Sequence, residues 1–97
     1  MYKMDKYEKI IDIICSMKGI GKDELCKILE DKESKYLLFL LLKKHRCDNL
    51  NKINEDFLIN KRSIVSYNVK KGQEKVMVNK EFREIYFEVE EMIQKMI

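Results

Sequence analysis

NLNKINEDFLINKRSIVSYNVKK, residues 49–71, carries most of the structural information in this chain of 97 residues. Leu50, Ile53 and Phe57 recur at i, i+3 and i+7, the spacing of one helical face, and Asn49 stands where a side-chain oxygen caps a helix start. A polar turn follows, with Asn60 the expected cap of a second helix that opens on Lys61, Arg62 and Ser63. That helix buries Val65 and Val69 and is expected to continue to Met77 through Gly72. Cationic and hydroxyl side chains on the first turn of a helix, braced by a preceding helix, are what a helix-turn-helix places in a DNA major groove. The pattern therefore predicts a helix-turn-helix over about residues 49–77.

Charge is distributed to match. Residues 1–42 carry 8 basic and 8 acidic side chains, residues 43–75 carry 9 basic and 4 acidic, and residues 76–97 carry 3 basic and 5 acidic. The net charge of +3 thus hides a central segment of +5, the electrostatic footprint expected of a surface that meets phosphate. With 45% hydrophobic and 38% charged residues the composition is that of a folded chain, not a disordered one, and its length suits a single domain. Alanine, threonine, proline and tryptophan are absent while lysine, isoleucine and asparagine abound, which suggests AT-rich coding and a bacterial or mobile-element origin.

On the N-terminal side, Asp5 and Glu8 form a capping pattern, and Met4, Tyr7, Ile11 and Ile14 repeat at helical spacing up to a stop at Gly19. Asp23 and Glu24 precede a short helix buried through Leu25, Ile28 and Leu29. Asp31 to Ser34 is expected to be a polar break, followed by a central helix from Tyr36 to Lys44 that is apolar nearly all round. Its run Leu37–Leu42 is too short to span about 30 Å of hydrocarbon. No stretch has the pattern of a signal peptide, so a cytoplasmic location is expected. On the C-terminal side Asn79 caps an amphipathic helix over about residues 80–96, with Phe82, Ile85, Val89, Met92 and Met96 as the expected stripe and Tyr86, Ile93 and Ile97 widening it. About six helices and no strand make an all-α fold.

The residues Leu50, Ile53, Phe57 and Val65 resemble the C-terminal DNA-binding domain of the replication initiator DnaA, a Trp-repressor-like helix-turn-helix. There a leucine, an isoleucine and a phenylalanine mark the first helix of the motif, and a signature R-D-H-[ST]-T-V opens the recognition helix. This chain reads FLINKRSIV from Phe57, with Lys70 and Lys71 on the basic pair that follows. The resemblance extends in length and helix order from about residue 7 to residue 94 and implies double-stranded DNA as the partner. The family's arginine, aspartate and histidine fall on Asn60, Lys61 and Arg62. Ser63 keeps the hydroxyl, and the following threonine is Ile64. The family's glycine pair in the turn falls on Leu58 and Ile59, so either the turn differs or Asn60 takes the left-handed position. Its arginine-rich loop falls on Asp31–Lys35, where Lys35 is the matching cation. A nucleotide-cradling G-x-x-x-x-G-K-[ST] loop is absent.

The expected base-reading residues are Lys61, Arg62, Ser63 and Ser66, with the Arg62 guanidinium suited to O6 and N7 of guanine. The expected phosphate contacts are Lys35, Lys43, Lys44, Arg46, Asn60, Tyr67, Lys70 and Lys71, with core packing the alternative for Tyr67. The helix macrodipole disfavours cations at a helix start by roughly 0.3–1 kcal/mol, so Lys61 and Arg62 make more sense if a polyanion approaches them. Cys15, Cys26 and Cys47 have no metal spacing and read as buried thiols, and His45 as a partly exposed residue at a helix end. No catalytic set, metal site or cofactor is expected. The wide apolar face of the last helix, beside an acidic face that would repel DNA, suggests either a helix closing the core or a homodimer or protein-partner surface, and a protein-interaction module on the same fold is the alternative function.

Overall fold

Helix α1, Lys6–Lys18, begins where the Asp5 carboxylate accepts the Glu8 N–H at 2.9 Å. It ends where Gly19 turns left-handed at φ 68°, letting the Ile20 N–H reach the Cys15 carbonyl at 3.0 Å. The computed structural model describes residues 5–95, so the positions expected to be apolar at Met4, Met96 and Ile97 lie outside the described residues. After a single 3₁₀ turn at Lys22–Glu24 come α2 (Cys26–Glu30), α3 (Lys32–Lys44), α4 (Leu50–Phe57), α5 (Arg62–Val78) and α6 (Lys80–Lys95), with no strand among the described residues. None of these helices is long and apolar enough to cross a membrane.

Helix α3 is the centre, because Leu37 through Leu42 are all buried, Phe39 completely. A helix hydrophobic on every side has to be surrounded, and α1, α2, α5 and α6 all pack on it. Helix α5 lies closest and runs in the opposite sense. Glu33 at the start of α3 faces Lys75 late in α5 at 3.9 Å, while Lys43 at its end shares a groove with Arg62 at the start of α5. Gly72 makes this approach possible, since a Cβ there would stand 2.8 Å from the Tyr36 carbonyl oxygen and 3.0 Å from the Leu40 Cβ. Tyr7 ties α1 to α4 by donating to Asp56 Oδ2 at 2.7 Å. Burial and the Asp56 carboxylate push the Tyr7 hydroxyl far above the ordinary tyrosine range.

The structure corrects the sequence reading at four places. The expected break at Asp31–Ser34 shrinks to Asp31, and Lys32 to Lys35 form the first turn of α3. One extended residue (φ −103°, ψ 115°) is enough to redirect the chain, and Asp31 is held by the Ser34 hydroxyl at 2.7 Å and by Lys18 at 3.4 Å. These partners, Ser34 foremost, keep the Asp31 carboxyl below its usual range. Second, Asn60 does not cap α5. Leu58 ends α4 in the left-handed region at φ 59°, and the chain then reaches Lys61 as the residue before the helix, with no side-chain cap. Third, α6 buries Phe82, Tyr86, Val89 and Ile93, whereas Ile85 and Met92 remain 36% and 39% exposed. Fourth, Cys26 is exposed while Cys15 is buried and Cys47 half-buried, all three as free thiols, and burial pushes the Cys15 and Cys47 thiols up. His45 is the partly exposed residue expected at a helix end, closing α3, and its ring lies 2.6 Å from Glu90, joining α3 to α6. Asn79 caps α6 as expected, accepting from the Phe82 N–H at 2.9 Å.

Candidate nucleic-acid interface

Helix α4 is fixed at both ends. Asn49 Oδ1 accepts the backbone N–H groups of Asn51 and Lys52 at 2.9 and 3.2 Å, and Ile53 and Phe57 anchor the helix in the core. At its other end the Leu58 N–H closes the last turn on the Asn54 carbonyl at 2.9 Å. The Leu58 side chain is 81% exposed and Ile59 folds back against the core. Lys61 then starts α5, with the Ile64 N–H bonded to its carbonyl at 3.1 Å.

Val65, Asn68, Val69 and Gly72 are the buried face of α5. Asn68 satisfies its amide by donating to the Ile64 carbonyl at 2.8 Å. The opposite face is exposed at Arg62, Ser63, Ser66, Tyr67 and Lys70, residues three and four apart that helical periodicity gathers on one side. Lys61 and Asn60 are exposed just before it. Tyr67 is 52% exposed, so it does not pack in the core, and Lys71 lies over its ring at 5.5 Å while also facing Glu74 at 3.7 Å.

Four of the expected contact residues converge. Lys43, Arg62, Ser66 and Lys70 line one groove of about 390 Å³ between the end of α3 and the start of α5, together with Asp48, Gln73 and the apolar floor Val65 and Val69. Lys44 lines the neighbouring groove with Leu40, Val76, Met77 and Tyr86, and Lys43 and Gln73 belong to both. Arg46, exposed and left-handed at φ 57°, sits in the loop that leaves α3. Lys35 is not part of this group. It lies in the first turn of α3, half-buried beside Tyr36, at the end of that helix remote from Lys43.

Asp48 is the member of the site that the sequence reading passed over as part of a loop. Its Oδ2 lies 3.2 Å from Arg62 Nη1 and 3.8 Å from Lys43 Nζ. The one available signal was an acidic residue inside a basic segment. Asp48 gives Arg62 a counter-charge within the molecule, so the macrodipole argument for a polyanion loses part of its force there. Lys61 has no such partner among the described residues, and neither do Lys44, Arg46 and Lys70. No group of three or more His, Cys, Asp or Glu side chains that could hold a metal occurs among the described residues.

No protein-family model, curated protein or solved structure matches the chain.

Proposed function

We propose that this chain is a non-catalytic helix-turn-helix protein that binds double-stranded DNA and regulates or organises bacterial, plasmid or phage DNA. In this reading α4 braces α5, and the start of α5 enters the major groove with Lys61, Arg62, Ser63 and Ser66. Lys43, Lys44, Arg46, Lys70 and Lys71 neutralise flanking phosphates, while Asn60 and Tyr67 hydrogen-bond to the backbone. The observation that carries the proposal is the groove in which Lys43, Arg62, Ser66 and Lys70, drawn from two helices, face one another beside the uncapped start of α5. The resemblance to the initiator's C-terminal domain supports the same reading, although Lys35 stands apart from the other cations.

Titration of mixed-sequence duplex DNA at low salt tests the proposal, followed by selection of bound oligonucleotides from a random pool. Arg62→Ala should weaken binding to a selected site by about 1–3 kcal/mol, the worth of one bidentate guanine contact. It should leave the thermal midpoint nearly unchanged, because the side chain is half exposed. Absence of binding, or an Arg62→Ala variant that binds as well as the parent, would sink the proposal.

A protein-interaction module is the second reading, favoured by Met77, Val78 and Phe87, which are 77%, 83% and 58% exposed around the α5–α6 junction and on α6. It expects a dimer or protein complex that Lys61 and Arg62 substitutions leave intact.

A further inference from the structure

The groove at the start of α5 holds three cations, and one carboxylate oxygen serves two of them. Asp48 Oδ2 stands 3.2 Å from Arg62 Nη1 and 3.8 Å from Lys43 Nζ, while Lys70 on the same groove has no acidic partner among the described residues. The Asp48 side chain is 23% exposed, against 50% for Arg62 and 61% for Lys43, so the anion is the inner member and the cations are the outer ones. Its position is set by the backbone. The Cys47 N–H is bonded to the Leu42 carbonyl at 2.7 Å on one side, and Asn49 caps α4 on the other.

We propose that Asp48 is an intramolecular stand-in for a DNA phosphate. It holds Arg62 and Lys43 in the free protein and yields them when the duplex arrives. This rests on the DNA-binding reading above and adds a residue that sets affinity and discrimination within it. The chemistry allows the exchange. The contact uses one carboxylate oxygen and one guanidinium nitrogen and is not the two-point fork that makes arginine–carboxylate pairs strong. Both cations are half-exposed or more, so water and salt screen these pairs and they are cheap to separate. A phosphodiester carries the same single negative charge as Asp48 and can take over Lys43, while the Arg62 guanidinium so released has its full set of donors for a base edge or a second phosphate. While Asp48 remains in place, a chance encounter with DNA gains less from Lys43 and Arg62 than their charges alone would provide. Asp48 therefore lowers non-specific affinity, and a site that also presents a guanine edge to Arg62 compensates for it.

The experiment compares the parent, Asp48→Asn and Asp48→Asn/Arg62→Ala on mixed-sequence duplex across a range of salt, with thermal unfolding run alongside. Asp48→Ser is the second probe, should the amide disturb the loop. Asp48→Asn is expected to bind about 3- to 10-fold more tightly at low salt. Its log–log salt dependence should steepen by about 0.9 if one of the two cations is freed to meet a phosphate and by about 1.8 if both are. The gain should shrink in the Arg62→Ala background, where Lys43 alone is freed. A parent that binds while folded Asp48→Asn and Asp48→Ser bind no better and with the same salt slope would overturn the Asp48 proposal alone. Folded parent and variants that all fail to bind at low salt would overturn the DNA reading and this inference with it.

Discussion

The two faces of helix α5 obey different rules. On one, Val65, Asn68, Val69 and Gly72 are buried, and the helix lies against α3 so closely that a Cβ at position 72 would stand 2.8 Å from the Tyr36 carbonyl oxygen. The other presents Ser63, Ser66 and Lys70 to solvent from a helix start with no side-chain cap, with Arg62 paired to Asp48 at its edge. One helix is thus clamped on one face and open on the other. Side chains interlock on the first face, and the second remains an open polar surface. A rigid helix with an exposed first turn holds polar groups in fixed directions, which a loop of the same composition would not do.

The largest effect on folding should come from the clamped face. Gly72→Ala gains about 1 kcal/mol of helix propensity, yet it must push the Tyr36 backbone or the Leu40 side chain aside. Overpacking of this kind costs about 1–3 kcal/mol, so the net effect should be a lower denaturant midpoint. A midpoint that rises instead would mean that α3 and α5 are free to separate, and the contrast between the two faces would be lost.

Next in size is the turn between α4 and α5. Leu58 holds a left-handed backbone at φ 59° with its side chain 81% exposed, so it bears the steric cost of that region without packing in return. Leu58→Gly should stabilise the protein by up to about 1 kcal/mol, the penalty removed less the entropy of a freer unfolded chain. Chemical denaturation reads this directly. A loss of stability would show that the exposed leucine contributes a contact.

The smallest effect on folding should come from the open face. Lys70→Gln should leave the thermal midpoint unchanged within about 0.5 kcal/mol, as exposed positions without partners do. On the DNA reading, the same variant reduces the salt slope of duplex binding by about 0.9. An unchanged slope would remove Lys70 from the set of phosphate contacts.

Much of the fold was readable from residue spacing because its signals are local. Asp5, Gly19, Asn49 and Asn79 cap or stop helices through bonds to residues within a few positions, so their roles can be seen one turn at a time. The all-apolar run Leu37–Leu42 announced a central helix because a cylinder without a polar side has nowhere else to go. The α6 face was not readable in the same way. Phe82 and Val89 belong equally to the stripe through Ile85 and Met92 and to the one through Tyr86 and Ile93, and periodicity alone cannot choose between them. Packing against α1, α3 and α5 selects the second. The cap of α5 was missed for a related reason. Asn60 has the right chemistry, but the turn conformation at Leu58 sets the phase in which the chain reaches the helix, and that depends on where α4 is held.

At the candidate site the division is similar. The residue types, the concentration of positive charge over residues 43–75 and the exposure of the first turn of α5 follow from composition and helical spacing. The grouping of Lys43 with Arg62, the exclusion of Lys35 and the contact of Asp48 with both cations do not. Periodicity and capping act over three or four residues, so the linear order of amino acids specifies which helices form and where most of them stop. The groove joins side chains 14 to 19 positions apart, from Lys43 to Arg62 and from Asp48 to Arg62, on elements whose approach is governed by Gly72 against α3. Only the packed arrangement of those helices brings three cations and one carboxylate to the same place.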